Sequence, residues 1–160
     1  MENCPRCIHC SSCIDQKERY NETEIGPVCQ QCIEIIGGLA YVAAPWQEKG
    51  AGRRIRDELQ RRGVGCSARW IDIPDDVPYD NGDPVGEVTR DVEDLRAAAR
   101  LVLYVPENDT SLGGRDTELG IAIALNHYPI HLIGKPKQMF HNHPDVTVYP
   151  TIDAWEKAEW

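Results

Sequence analysis

Residues 101–125 read LVLYVPENDTSLGGRDTELGIAIAL, and this stretch decides the fold. Leu101-Val102-Leu103-Tyr104-Val105 is a short, continuous apolar run, as expected of a strand covered on both faces. Pro106 to Gly114 is a loop rich in turn formers, and a helix is predicted from about Gly114 to Asn126. The same alternation continues outward in both directions. Upstream, Val85, Val88, Val92, Leu95 and Ala99 recur at helical spacing and predict an amphipathic helix over 84–99. Before it lie a Pro-, Asp- and Gly-rich loop over 72–83, a strand from Val64 to Ile71 and a helix over 50–62 with Ala51, Ile55 and Leu59 on one stripe. A first strand runs from Leu39 to Ala44. Downstream, Ile130–Ile133 and Val146–Tyr149 read as strands, and Ile152 to Ala158 as a closing helix. Strands separated by helices form right-handed βαβ units, so the chain is expected to be α/β, a doubly wound parallel sheet of five strands with helices on both faces.

Ligands of such sheets bind beyond the carboxyl ends of the strands. That rule selects Ala44-Pro45-Trp46, Arg69-Trp70-Ile71-Asp72, Pro106 to Gly114 and the loop after Ile133. There is no G-x-G-x-x-G and no Walker lysine motif, which argues against a dinucleotide dehydrogenase and a P-loop NTPase. Just past the third of these segments, Glu118 stands out. It falls in the first turns of a helix that is apolar nearly all round (Leu119, Ile121, Ala122, Ile123, Ala124, Leu125) and is therefore expected to be buried, with Gly120 making room for a close approach. The helix dipole favours the carboxylate and desolvation opposes it, a balance suited to a nucleophile or general base. An ordinary first-turn acid gives the same pattern, and spacing alone does not separate the two. Glu87, Asp91 and Asp94 form an acidic stripe; Glu87 and Asp94 are read as solvated, and Asp91, beside Val88, Val92 and Leu95, as the candidate site residue. Arg53, Arg54, Arg56, Arg61 and Arg62 form a basic face expected to pair with Asp57 or Glu58, with Arg53 or Arg54 able to reach an anion. Arg115, three residues before Glu118, is placed to bind an anion or orient the glutamate. Trp46 and Trp70 close strands and can stack on a base. His141 and His143 have a metal-like step but no nearby third ligand, and read as a polar loop.

The formal net charge of −9 argues against a nucleic-acid backbone as the main ligand. No apolar run approaches membrane-spanning length and the N-terminus has no signal-peptide pattern, so a cytoplasmic protein is expected. Six of the seven cysteines fall in the first 32 residues, and in a reducing compartment clustered thiols favour metal over disulfides. Cys10-x2-Cys13-x15-Cys29-x2-Cys32 fits one tetrahedral structural zinc. Cys4 and Cys7 can replace the first pair or join His9 around a second ion. An iron–sulfur cluster fits less well, because the x3-Cys-Pro ending is missing. The polar, turn-rich segment Asp15 to Pro27 suits a hairpin between two knuckles, and the pattern resembles the treble-clef group of zinc modules. Residues 1–36 are thus expected to be a small module that zinc staples, which can also contact a protein partner, and residues 37–160 the α/β domain.

Four stretches of the α/β part resemble landmarks of the nucleoside 2-deoxyribosyltransferase family in the same order: Tyr41-Val42-Ala43-Ala44-Pro45-Trp46, Arg69-Trp70-Ile71-Asp72, Asp91 with Asp94-Leu95, and Ser111-Leu112-Gly113-Gly114-Arg115-Asp116-Thr117-Glu118-Leu119-Gly120. The match spans about residues 38–150, and the last stretch is its most specific part. The resemblance implies a flavodoxin-like, Rossmann-like doubly wound fold and cleavage or transfer at the N-glycosidic bond of a deoxynucleoside or its monophosphate. It implies Glu118 as nucleophile on the anomeric carbon and Asp91 on the sugar, with Asp72 or Asp109 helping to protonate the base. Pro45, Trp46, Trp70, Gly113, Gly114 and Arg115 would line the substrate, and Ser111 and Arg53 would suit a phosphate. It also implies a homo-oligomer. The family's classical transferases carry an acid six residues before the nucleophile; here that residue is Leu112, which leaves room for a hydrolase. Hydrolysis of another nucleotide such as NAD, and a non-catalytic nucleotide sensor, are the alternative readings.

Overall fold

The computed structural model describes residues 20–23, 26–29, 38–77, 83–109 and 113–160. Near the N-terminus, strands β1 (Tyr20–Thr23) and β2 (Gly26–Cys29) pair antiparallel, with Tyr20 opposite Cys29 and Thr23 opposite Gly26. This pair overlaps the segment from Asp15 to Pro27 read as a hairpin, of which residues 15–19, 24 and 25 lie outside the described residues. Cys29 is the last residue of β2. The other proposed zinc ligands, Cys4, Cys7, Cys10, Cys13 and Cys32, and the accessory His9, lie outside the described residues.

The α/β part follows the sequence reading in element order. It runs β3 (Leu39–Ala43), α1 (Lys49–Arg61), β4 (Gly65–Cys66), α2 (Pro84–Ala97), β5 (Ala98–Val105), α3 (Gly114–Ala124), β6 (Ile130–Gly134), β7 (Val146–Tyr149) and α4 (Ile152–Lys157). The five strands form one all-parallel sheet in the order β4-β3-β5-β6-β7, the doubly wound α/β arrangement. The first strand of the sheet lies inside it, so the chain winds outward in one direction through β4 and in the other through β5. Every residue of β3 is buried, which is why its sequence is apolar without alternation. Helices α2 and α3 pack together over β3 and β5. Arg54 on α1 pairs with Asp153 and Glu156 of the α4 region, joining those two helices. Asp83 caps α2, its side chain accepting from the Gly86 N–H at 2.9 Å, and Pro84 fits the first turn, where no N–H is needed.

The structure departs from the sequence reading in several places. Only Gly65–Cys66 of the stretch from Val64 to Ile71 is a strand, and Arg69–Asp72 is a 3-10 turn. The Arg69 N–H is taken by the Asp94 carboxylate at 2.9 Å, and the Trp70 indole N–H donates to the Val42 carbonyl at 2.8 Å. Those bonds fold the backbone inward instead of continuing the edge ladder. Helix α2 ends at Ala97 and β5 begins at Ala98 without a loop, so Ala98, Ala99 and Arg100 belong to a strand. Helix α3 is not apolar-buried all round. Leu119 and Ala122 are buried, whereas Leu125, just past its end, is exposed. Gly120 does not mark a close approach, since a Cβ there would meet nothing within 4 Å. The glycine with that role is Gly134, at φ +120°, where a Cβ would lie 2.0 Å from the Val105 carbonyl oxygen. Asp94 is not solvated either. It is buried and accepts from Arg69 at 2.7 Å.

Candidate active site

Strands β3 and β5 are neighbours whose following helices leave in opposite directions, and this switch point opens a crevice at their carboxyl ends. A cavity of about 660 Å³ occupies it. Four segments build its wall: Ala44-Pro45-Trp46-Gln47 after β3, Trp70 after β4, one face of α2 (Glu87, Val88, Asp91, Val92, Leu95) and the first turns of α3 (Gly114, Arg115, Thr117, Glu118, Ile121). Its volume falls in the range of small-molecule sites. Gly113 begins α3 at φ +93°, a left-handed conformation that turns the chain sharply out of the β5 loop. The Gly113 carbonyl then accepts from the Asp116 and Thr117 N–H groups and sets the helix that carries Glu118.

Two carboxyl groups face this cavity in unusual environments. Burial pushes Glu118 up to about 7, Asp91 and Asp116 adding to the rise while Tyr41 and Arg115 oppose it. Burial likewise pushes Asp91 up to about 6, reinforced by Asp94 and Glu87 and opposed by Tyr41 and Arg90. Tyr41 stands between them. Its hydroxyl donates to Glu118 Oε1 at 2.6 Å, and burial, followed by the charges of Glu118 and Asp91, keeps its own proton on well above the usual tyrosine range. It is thus a fixed donor aimed at the carboxyl it serves. The sequence marks Tyr41 only as part of a strand motif and does not disclose its role at the site. The signal available was chemical: a hydroxyl in a fully buried strand requires a partner. Glu87, read as solvated, is half-buried and lines the same cavity.

Trp46 and Trp70 form an aromatic wall, their ring centroids 6.4 Å apart at 38°. Lys49 Nζ lies 3.7 Å from the Trp46 centroid and donates to the carbonyls of Ile73 and Pro74, which holds that ring in place. Arg115 is buried in the wall. It pairs with Asp109, donates to the Tyr104 carbonyl at 3.1 Å, and its Nε has no partner among the described residues.

Of the residues named from sequence, Glu118, Asp91, Pro45, Trp46, Trp70, Gly114 and Arg115 converge on the cavity, and Gly113 immediately precedes it. Asp72, Asp109 and Arg53 are not among the lining residues. The carboxylate of Asp72 is taken by Arg56, that of Asp109 by Arg115, and Arg53 pairs with Asp75. Ser111 lies outside the described residues. His141 is fully buried: its Nδ1 accepts from the Lys137 N–H at 3.1 Å, which leaves Nε2 to donate to Asp116 at 2.8 Å. It anchors the loop after β6 onto the first turn of α3. Among the described residues no group of three or more His, Cys, Asp or Glu side chains is arranged to hold a metal ion, and no helix is long and apolar enough to cross a membrane.

No protein-family model matches the chain, and no curated protein matches it.

Proposed function

We propose that the protein cleaves or exchanges the N-glycosidic bond of a deoxynucleoside or its monophosphate, with Glu118 as the nucleophile. One observation carries this reading. A carboxyl group sits in a cavity at the sheet's switch point, held at 2.6 Å by a buried tyrosine hydroxyl, with a second carboxyl and two indole rings in the same wall. A carboxylate so held attacks an anomeric carbon at a fixed angle, and the flat walls suit a flat leaving group.

In the proposed reaction a Glu118 oxygen forms a bond to C1′ as the C1′–N bond breaks and its electron pair stays with the base. The departing nitrogen takes a proton. Asp72 and Asp109 are committed to arginines, so we assign that proton to Asp91, which holds it into the weakly acidic range. The glycosyl ester then yields to water, or to a second base if the enzyme is a transferase. The competent form has Glu118 bare and Asp91 protonated. Because Glu118 titrates near 7 and Asp91 near 6, that form is a minority species, greatest between those values, and a bell-shaped profile centred there is expected.

The experiment is incubation of purified protein with each deoxynucleoside, each 5′-monophosphate and NAD, with and without a free acceptor base, followed by chromatography. Base release without acceptor means hydrolysis, and base exchange means transfer. Absence of both across the panel, or full activity in Glu118→Ala, refutes the proposal.

A further inference from the structure

Arg115 is an anomaly that the cavity alone does not explain. A cation in the first turn of a helix opposes the helix dipole, and a buried cation carries a desolvation cost. Yet the Arg115 side chain is 2% exposed and that of its partner Asp109 9%. The guanidinium is tied at one end to Asp109, from the loop after β5, and at the other to the Tyr104 carbonyl of β5 itself. This fixes a positive charge in the cavity wall one helical turn before Glu118, on the same face of α3.

We propose that the Arg115–Asp109 pair is a positioning device that sets the protonation state of Glu118, Arg115 drawing the carboxyl toward its charged form and Asp109 limiting how far. The inference takes its catalytic meaning from the nucleophile reading above, but its direct readout does not depend on it. Among the described residues, the charged and titratable groups around Glu118 are Tyr41 from β3, Asp91 and Glu87 from α2, and Arg115 and Asp116 from α3 itself, while Asp109 acts on it through the Arg115 charge that it pairs with. Arg115 is the cation of that set, and it acts against the burial that otherwise holds the proton on. Because Arg115 and Asp109 carry opposite charges, removing each one must move Glu118 in opposite directions. A purely structural pair would instead perturb the site in the same sense whichever partner is lost.

The test is NMR titration of the Glu118 side-chain carboxyl in full-length protein labelled with ¹³C-glutamate, assigned by its loss in Glu118→Gln. In Arg115→Met the midpoint is expected to rise by about one pH unit, and in Asp109→Asn to fall, the size typical of a neighbouring charge. Arg115→Lys keeps the charge and should stay close to the parent. Since Arg115→Met takes the guanidinium away from a largely buried carboxylate and can impair folding, Asp109→Asn, whose amide still accepts from Arg115, decides the question by itself. A midpoint in Asp109→Asn that rises or does not move overturns the proposal. So do shifts of the same sign in both variants. The pH profile of base release serves as the second readout. If no substrate releases base while the midpoints move as stated, the glycosidic reading fails and this inference stands.

Discussion

Replacing Glu118 by Gln should make the protein more stable at pH 8, in spite of deleting the proposed nucleophile. The Glu118 carboxyl titrates near 4.5 in the unfolded chain and at about 7 in the fold, raised first by burial. The folded state therefore binds the proton more tightly than the unfolded chain. The stability associated with this group is complete below about 4.5, declines as pH rises through the interval, and is lost above about 7. A shift of that size corresponds to about 3 kcal/mol at full ionisation. Glutamine cannot ionise, so it escapes that loss. The charge-assisted bond from Tyr41 is already contained in that figure, because it opposes the rise caused by burial. The expected net gain for Glu118→Gln is about 3 kcal/mol at pH 8 and close to zero at pH 4.5. Urea denaturation of both proteins at the two pH values measures it, and comparing differences cancels the titrations of Asp94 and His131, which both proteins share. A difference that stays constant between the two pH values, or a variant less stable than the parent at pH 8, refutes the burial argument for Glu118.

Other outcomes follow from the same physics. His131 is buried among Tyr149, Trp155 and Trp160, its Nδ1 accepts from the Trp155 indole at 2.9 Å, and burial lowers it to about 4. Its folded pKa lies below the unfolded one, so stability should fall as pH drops from about 6.5 to about 4. In Trp155→Phe the protein should be weaker at pH 7, and the gap to the parent should narrow toward pH 4, where the indole N–H faces a protonated ring; urea midpoints at the two pH values check this. Gly134→Ala should cost roughly 2–4 kcal/mol or prevent folding, since it combines a left-handed backbone with a clash against the Val105 carbonyl, and thermal melts measure it. For residues 1–36 we propose about one zinc per chain, read by elemental analysis of freshly purified reduced protein, and absence of metal removes that proposal.

The sheet was legible because buried parallel strands announce themselves as unbroken apolar runs. Leu39–Ala43, Ile130–Gly134 and Val146–Tyr149 fall within one residue of the runs that named them. The structure departs from local preference where tertiary contacts override it. Ala98 favours helix in isolation and becomes strand by pairing with Leu39 of β3, whereas Arg69 and Trp70 leave the edge strand because Asp94 captures the Arg69 backbone N–H and the Val42 carbonyl holds the Trp70 indole. At the candidate site, Trp46 and Trp70 were legible from the rule that ligands bind at strand ends, Glu118 from its place in the helix just past such an end, and Asp91 from its place beside the apolar stripe of its helix. The capture of Asp72 by Arg56, of Asp109 by Arg115 and of Arg53 by Asp75 was not, because which acid an arginine meets depends on distances between segments that one-dimensional spacing does not encode. Tyr41 was hidden for the same reason: its partner lies 77 residues away.

The central claim is that the Glu118 oxygen bonds to a sugar carbon. Intact-mass and peptide-mapping analysis after reaction with 2′-fluoro-arabinosyl nucleosides and their monophosphates, whose fluorine slows ester hydrolysis, tests it directly. The expected result is a mass increase of one glycosyl unit on the peptide containing Glu118, absent in Glu118→Gln. Base release with the adduct on another residue, or no adduct from any of these compounds, would contradict it.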